Sequence, residues 1–285
     1  MAAHTTFGIG GPADMFIRVG SPSELGRILA FLETEGIPGF ILGGGANILV
    51  GDRGIRGIVL DLSGLSWARN SGEGLWAGAG ISVDRLCEHA LAFERDGLEN
   101  FYGMPGSLGG ALYMNARCYE KDFSELVESI SIASPGGRIS TVRPPNDQWA
   151  YKKSPFQPGG ALEGSIIVGA TLGLGGGRAE EIAGVMRARK SDRTAKGHYR
   201  LPSAGSVFKN DRSFGKPTGL ILDSLGLKGT RIGDALVSTW HANIFVNAGK
   251  AKAEDMKALI ETAQERAYSV YGFRLEPEVL LVGEF

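Results

Sequence analysis

Phe40-Ile41-Leu42-Gly43-Gly44-Gly45-Ala46-Asn47-Ile48-Leu49-Val50 sets a glycine-rich loop between two short apolar runs. The runs are too short for helices and fit strands. Successive glycines leave the peptide N–H groups between them unobstructed, an arrangement that can cradle an anion; the same residues also fit a tight turn. Upstream, Ser21-Pro22-Ser23-Glu24 opens a helix with an N-cap serine, a proline at the first helical position and a glutamate at the capping-box position. Leu25, Ile28, Leu29 and Leu32 follow at helical spacing, and Gly36 closes the helix. Residues 13–62 therefore read as strand, helix, strand, loop, strand, with the last strand at 57–62.

The alternation continues downstream. Residues 82–96 read as a helix with Leu86, Ala90 and Phe93 on one face. Residues 127–142 read as a hairpin turning at Pro135-Gly136-Gly137, and 165–174 as an apolar, β-branched strand. A charged helix from Arg178 to about Thr194 is followed by a strand at 206–209 and a helix near 218–225. A buried strand at 241–247, an amphipathic helix over 253–271 and a last strand at 274–282 complete the chain. No internal repeat is present, and the pattern predicts an α+β or α/β fold in three modules.

Composition narrows the function classes. Thirty Lys+Arg against 31 Asp+Glu leave a net charge of −1, which argues against non-specific nucleic-acid or membrane-surface binding. A hydrophobic share of 43% and a charged share of 21% are those of a globular chain with a sizeable core. Glycine is the outlier: 44 of 285 residues is about twice the usual share, which means tight turns or close backbone approaches. Cys87 and Cys118 make no disulfide framework, and the histidines (His4, His89, His198, His241) form no ligand pair, so no metal is expected. The first residues lack a basic start with an apolar run, and no apolar stretch reaches the roughly 18–20 residues of a membrane span. The expectation is a reduced, cytoplasmic protein with no membrane or nucleic-acid partner.

Several segments could carry chemistry. Gly103-Met104-Pro105-Gly106-Ser107-Leu108-Gly109-Gly110 looks like a helix start pressed against a ligand or another backbone. Two amide-rich elements in one chain favour a dinucleotide with two phosphates. No GxxxxGK[ST] occurs, which argues against a P-loop. Gly8-Ile9-Gly10-Gly11-Pro12-Ala13 fits GxGxxA, yet no strand precedes it and a proline sits inside, so a Rossmann site is rejected. Ser206, within Pro202-Ser203-Ala204-Gly205-Ser206-Val207-Phe208-Lys209-Asn210, lacks a GxSxG elbow and suits a proton donor better than a hydrolase nucleophile. Tyr151-Lys152-Lys153-Ser154-Pro155-Phe156 and Glu276-Pro277-Glu278 add polar groups that singly fit a solvated face.

These segments, with His4-Thr5-Thr6-Phe7, Gly226-Leu227-Lys228-Gly229, His241-Ala242-Asn243, Val246-Asn247 and Leu275-Glu276-Pro277-Glu278-Val279, resemble the UDP-N-acetylenolpyruvoylglucosamine reductase family in order and spacing over nearly the whole chain. The chain looks like the shorter, type II form, because no tyrosine-bearing insertion separates Leu174 from Pro202. The resemblance implies an α+β protein. Two subdomains, 1–62 and 63–178, would form an FAD-binding fold of the vanillyl-alcohol-oxidase/PCMH type, with a C-terminal α+β substrate-binding domain at 179–285. It further implies a non-covalent FAD whose diphosphate lies against Gly43, Gly44, Gly45, Ala46 and Asn47, and against Pro105, Gly106, Ser107, Gly109, Gly110 and Asn115.

The implied reaction has two halves. NADPH reduces the flavin and leaves; the enolpyruvyl ether of UDP-N-acetylglucosamine then takes a hydride from flavin N5 at C3 and a proton at C2, giving UDP-N-acetylmuramate for peptidoglycan synthesis. By resemblance, Ser206 is the proton donor, Glu278 the catalytic carboxylate, and Tyr151, Lys209 and Asn210 bind substrate. Lys152 stands where the family has the arginine of Tyr-Arg-x-Ser; it keeps the charge but lacks the planar fork. The partners expected are the UDP-sugar and NADPH, on a monomer or weak homo-oligomer. Two rival readings are a same-fold flavin alcohol oxidase and a flavin- or nucleotide-binding relative without catalysis.

Overall fold

The computed structural model describes residues 1–72 and 74–285. Packing gathers them into two units, neither contiguous in sequence: a first of Met1–Asp14, Gly45–Arg56 and Asp192–Phe285, and a second of Met15–Gly44 and Gly57–Ser191. The segments expected from sequence, 1–62, 63–178 and 179–285, are contiguous, whereas the chain passes between packing units four times. One passage falls inside the quoted loop, between Gly44 and Gly45.

In the second unit, helix α1 (Pro22–Glu35) is built as its sequence dictates. Ser21 Oγ accepts the Glu24 N–H at 3.2 Å, Leu25, Leu29 and Leu32 are buried, and Gly36 ends the helix in the left-handed region at φ 63°. Glu24 reaches back to the N–H of Gly20 (2.8 Å), one residue before the capping-box position. Parallel strands Gly39–Leu42 and Ile55–Asp61 lie in a three-stranded sheet with Ala13–Arg18. A five-stranded antiparallel sheet has the order Ile139–Val142, Val127–Ala133, Ile166–Gly173, Gly74–Gly78, Ala68–Ser71. Its first two strands are the expected hairpin. Helix α2 (Val83–Ala92) is shorter than expected from 82–96. Glu94 turns left-handed at φ 53°, and Arg95–Asp96 pairs with Gly175–Gly176, so Phe93 is left 43% exposed instead of lying on the buried face.

In the first unit, four antiparallel strands run in the order Ser203–Ser206, Ile244–Asn247, Ala235–Val237, Arg231–Ile232. Helix α6 (Ala253–Tyr271) buries Met256, Leu259, Ile260, Ala263 and Ala267 at helical spacing, as expected. Its N-terminus is capped from far along the chain: both Asp52 carboxylate oxygens accept N–H bonds, from Ala253 (2.9 Å) and Glu254 (3.0 Å). Three strand expectations are corrected: the one at 241–247 begins only at Ile244, after a turn at His241-Ala242-Asn243. The strand expected at 206–209 is Ser203–Ser206, interrupted by a bulge. The strand expected at 274–282 shrinks to Leu280–Val282, parallel to Ile48–Val50, with an isolated bridge from Pro277 to Phe208 before it. Gly10 and Gly11 serve packing, since a Cβ on Gly11 would lie 2.1 Å from the Asp52 carbonyl oxygen; this agrees with rejecting a Rossmann site.

Candidate active site

The residues singled out from sequence divide between the two units. In the second unit the structure brings the two glycine-rich elements together. A Cβ on Gly44 would lie 2.6 Å from Gly106 Cα and 2.9 Å from the Ser107 nitrogen, and one on Gly43 would lie 2.7 Å from Ser107 Oγ. Only glycine fits backbone that close. Ser107, 3% exposed, is the N-cap of helix α3 (Leu108–Tyr113), and its Oγ accepts the N–H groups of Gly44 (3.2 Å) and Gly110 (3.4 Å). Leu108 and Gly109 donate to the carbonyls of Ile81 and Ala79, so their amides are committed inside the fold. Among the described residues, the N–H groups of Gly106 and Ser107 have no partner within the chain. Two partnerless amides beside a cradle that a Cβ would fill are the features an anionic diphosphate needs, and FAD fits these residues. Pro105 is exposed at the start of this element.

Asn115 is held differently from the cradle. It is 1% exposed and left-handed at φ 40°, its Nδ2 donates to the Ala150 carbonyl (2.9 Å), and its Oδ1 accepts the Ser124 N–H (3.1 Å). Its side chain thus anchors Ala150, which opens the turn Ala150-Tyr151-Lys152-Lys153. Ala150 and Lys153 exchange backbone hydrogen bonds at 3.0 and 3.2 Å. Lys152 sits at the third position of that turn with φ 57°, a conformation that favours glycine or asparagine. Gln157 Nε2 donates to the Lys152 carbonyl (3.2 Å) and to that of Tyr113 (2.8 Å), so the strained turn is supported from below. The Lys152 ammonium stands 6.0 Å from the centre of the Tyr151 ring, which is itself 39% exposed.

In the first unit, Gly45 lies so close to the chain that a Cβ would be 2.0 Å from the His4 carbonyl oxygen, and the N–H groups of Gly45 and Ala46 have no chain partner among the described residues. Ser206 ends its strand opposite Ile244, while Ser203 lies opposite Val246. Three steps on one strand against two on the other make a β-bulge, with Gly205 left-handed at φ 74°. The bulge re-aims Ser206 and turns the chain toward residues 276–278. Glu278 N–H donates to the Val207 carbonyl at 2.7 Å and Lys209 N–H to the Glu276 carbonyl at 3.0 Å. Asn47 Nδ2 donates to the Glu278 carbonyl at 2.9 Å. Ser206, Glu278 and Asn47 are therefore joined through adjacent backbone, and Ser206 and Glu278 are both half-buried.

Lys209 and Asn210 follow directly. The Lys209 side chain, 17% exposed, makes an ion pair with the outlying Glu276 at 2.6 Å. Asn210 Oδ1 accepts the N–H of Thr218, the first residue of helix α5 (Thr218–Ser224), at 2.9 Å, and thus acts as a helix cap. In the same unit, burial, reinforced by the Arg193, His241 and Lys196 charges, pushes His198 down to about 4. Burial also lowers His241, whose Nδ1 accepts the Asn243 N–H at 3.2 Å. Both cysteines are free and buried, and no cluster suited to a metal occurs among the described residues.

Asn243 and Asp52 were not singled out for a role from sequence. Asn243 is an amide beside an apolar run, a buried polar group whose bonding must be met from within the chain; that is the signal that could have found it. For Asp52 the sequence carries no local signal, because its partners lie two hundred residues away.

Comparison with known proteins identifies the family. An FAD binding domain family matches residues 13–143, and the family of the C-terminal domain of UDP-N-acetylenolpyruvoylglucosamine reductase matches residues 197–282. A UDP-N-acetylenolpyruvoylglucosamine reductase from Treponema denticola is 40% identical over 99% of this chain and 91% of its own. One from Desulfosudis oleivorans is 37% identical over 100% and 93%. The crystal structure of the reductase from Thermus caldophilus superposes with a TM-score of 0.81 at 32% identity, covering 99% of this chain and 96% of that one. Likeness of sequence and fold from end to end leaves one conclusion: the chain belongs to the UDP-N-acetylenolpyruvoylglucosamine reductase family.

Proposed function

We propose that this protein is an FAD-containing, NADPH-dependent oxidoreductase that reduces UDP-N-acetylglucosamine enolpyruvate to UDP-N-acetylmuramate in peptidoglycan precursor synthesis. The observation that carries the reading is the union of Ser206, Glu278 and Asn47 through bonded backbone, in a chain whose glycine loop meets Gly106–Ser107. Gly43, Gly44, Gly45, Ala46, Asn47, Gly106, Ser107 and Gly110 would hold the cofactor diphosphate. Pro105 and Gly109 belong to the same cofactor-binding segment, and Asn115 supports the site through the turn that carries Lys152. FAD held there would supply the hydride chemistry that links NADPH to the enolpyruvyl group.

The chain's own residues manage charge and proton. Hydride arrival at C3 pushes negative charge toward C2 and the substrate carboxylate, and a fixed cation there stabilises it. Lys152, held out on its left-handed turn, supplies that cation, with Tyr151 beside it. The Ser206 hydroxyl delivers the proton to C2, and Glu278 assists as the neighbouring carboxylate. Lys209 and Asn210, which follow Ser206 in the same segment, bind the substrate. By role, 1–62 and 63–178 serve the cofactor and 179–285 the substrate, a division that crosses the packing units.

A cytoplasmic location, a monomeric or weakly associating state and a part in cell-wall biogenesis, cell shape and division belong to the same proposal. No helix among the described residues is long and apolar enough to cross a membrane. The test is direct: purified protein should be yellow, release FAD on heating, and oxidise NADPH only when the enolpyruvyl UDP-sugar is present. Flavin without that dependence would favour the alcohol-oxidase or non-catalytic readings.

A further inference from the structure

Asn243 precedes the strand Ile244–Asn247, is 1% exposed, and faces the two residues that follow Ser206. Its Oδ1 accepts the Phe208 N–H at 3.0 Å and its Nδ2 donates to the Phe208 carbonyl at 2.8 Å. Its backbone carbonyl accepts the Val207 N–H at 2.9 Å. One residue thus makes three hydrogen bonds to Val207 and Phe208, which are both fully buried.

The need for it follows from the strand geometry. Phe208 lies opposite Pro277 in an antiparallel bridge whose hydrogen bonds run through the neighbours, Val207 to Glu278 and Lys209 to Glu276. The N–H and C=O of Phe208 therefore point the other way, toward where a further strand would lie. Regular pairing has already stopped at Ser206 and Ile244. The Asn243 carboxamide, with a donor and an acceptor side by side, substitutes for that missing strand. On its other side Asn243 is fixed by its N–H bond to His241 Nδ1.

We propose that Asn243 is a positioning residue that holds Ser206 and Glu278 as a pair. It acts through Val207 and Phe208 without touching substrate. The proposal rests on the reading of Ser206 as proton donor and Glu278 as catalytic carboxylate. Glu278 gains its placement second-hand, because its N–H bonds to the same Val207 that Asn243 clamps, and Asn47 pins its carbonyl.

The test uses the holoenzyme and two variants. Asn243→Ala removes both side-chain bonds; Asn243→Asp keeps an acceptor for the Phe208 N–H and loses the donor. In Asn243→Ala, reoxidation of the reduced flavin by the enolpyruvyl UDP-sugar should slow roughly 10²-fold, as a misplacement of about 1 Å can do, and Asn243→Asp should fall between. Flavin reduction by NADPH should be unchanged, and the solvent deuterium isotope effect on reoxidation should rise as proton delivery becomes limiting. Amide exchange should quicken in peptides covering 203–209 and 275–279 and stay slow in α6. Wild-type reoxidation and isotope effect in both variants would overturn the proposal, as would equal slowing of both half-reactions. If Asn243→Ala does not fold, Asn243→Asp decides by the same criteria. Should the wild-type enzyme itself not be reoxidised by this substrate, the reading of the activity fails, and the proposal with it.

Discussion

At Gly44, in the second unit, a side chain would run into the Gly106 backbone 2.6 Å away; at Phe208, in the first, both backbone groups are met by the carboxamide of Asn243. The glycine cradle is made by leaving side chains out. The surroundings of Ser206 are made by adding polar side chains that stand in for strands. A cradle of this kind needs glycines at a few positions and tolerates little else, while a clamp needs one amide and a distant partner. The first leaves a dense mark in the sequence and the second almost none.

The contrast can be broken most severely at Ser206. Ser206→Ala removes the proposed acid and leaves every clamp bond in place, so stopped-flow flavin reduction by NADPH should match wild type. Reoxidation by the enolpyruvyl UDP-sugar should slow by the roughly 10²–10⁴-fold typical of losing a general acid. Equal slowing of both halves would make Ser206 structural.

Next in size are the glycines. Overpacking costs about 1–3 kcal/mol, so Gly44→Ala should lower both the apo-protein melting temperature and FAD affinity, the latter by roughly 10–10²-fold on that scale. Gly110→Ala is the sharpening control, since its Cβ would meet nothing nearer than Ser107 Oγ at 3.6 Å. It should melt like wild type, and any loss of flavin there reports contact with the cofactor instead of packing. Fluorescence titration of apo-protein with FAD, beside calorimetry, separates the two.

Lys152 comes third. Its left-handed backbone, at φ 57°, costs about 1–2 kcal/mol. Lys152→Gly should raise the melting temperature by about 2–4 °C per kcal/mol relieved while slowing flavin reoxidation. Lys152→Met should slow reoxidation equally with no gain in stability, and Lys152→Arg should keep activity. A Lys152→Gly variant that melts lower than wild type would show that the turn carries no strain.

The smallest effect lies in the first unit, at His198, whose folded value of about 4 is below its ordinary 6.5. A group that is less basic when folded stabilises the protein above its unfolded value and loses that contribution as pH falls. Melting temperature should therefore decline from pH 6.5 toward 4, and His198→Gln should flatten the decline. Partial exposure of the ring keeps the effect modest. An identical decline in the variant would assign it to other groups.

Local elements were legible in the sequence because their causes are local. Ser21, Pro22 and Gly36 bound α1, the 253–271 periodicity is α6, and the turn at Pro135-Gly136-Gly137 joins its hairpin, all within a few residues of chain. The glycine runs at 43–45 and 106–110 were legible too, since glycine is selected by what must come close. Their meeting was not, and neither was the α6 cap supplied by Asp52 or the end of α2 at Ala92, because nothing within a helical turn announces them. Residues 206–209 looked like a strand because Val207 and Phe208 are apolar and buried; the bulge at Gly205 and the Asn243 carboxamide replaced the ladder. By itself the sequence determined the α+β class, the family, the glycine cradle and the identity of Ser206, Lys152 and Glu278 as candidates. Only the tertiary structure decided that Asn210 caps a helix, that Asn115 anchors the Lys152 turn and that Asn47 and Asn243 hold the Ser206–Glu278 backbone. The physical reason is that an asparagine's job is set by which backbone groups lack partners around it, and those groups arrive from distant parts of the chain.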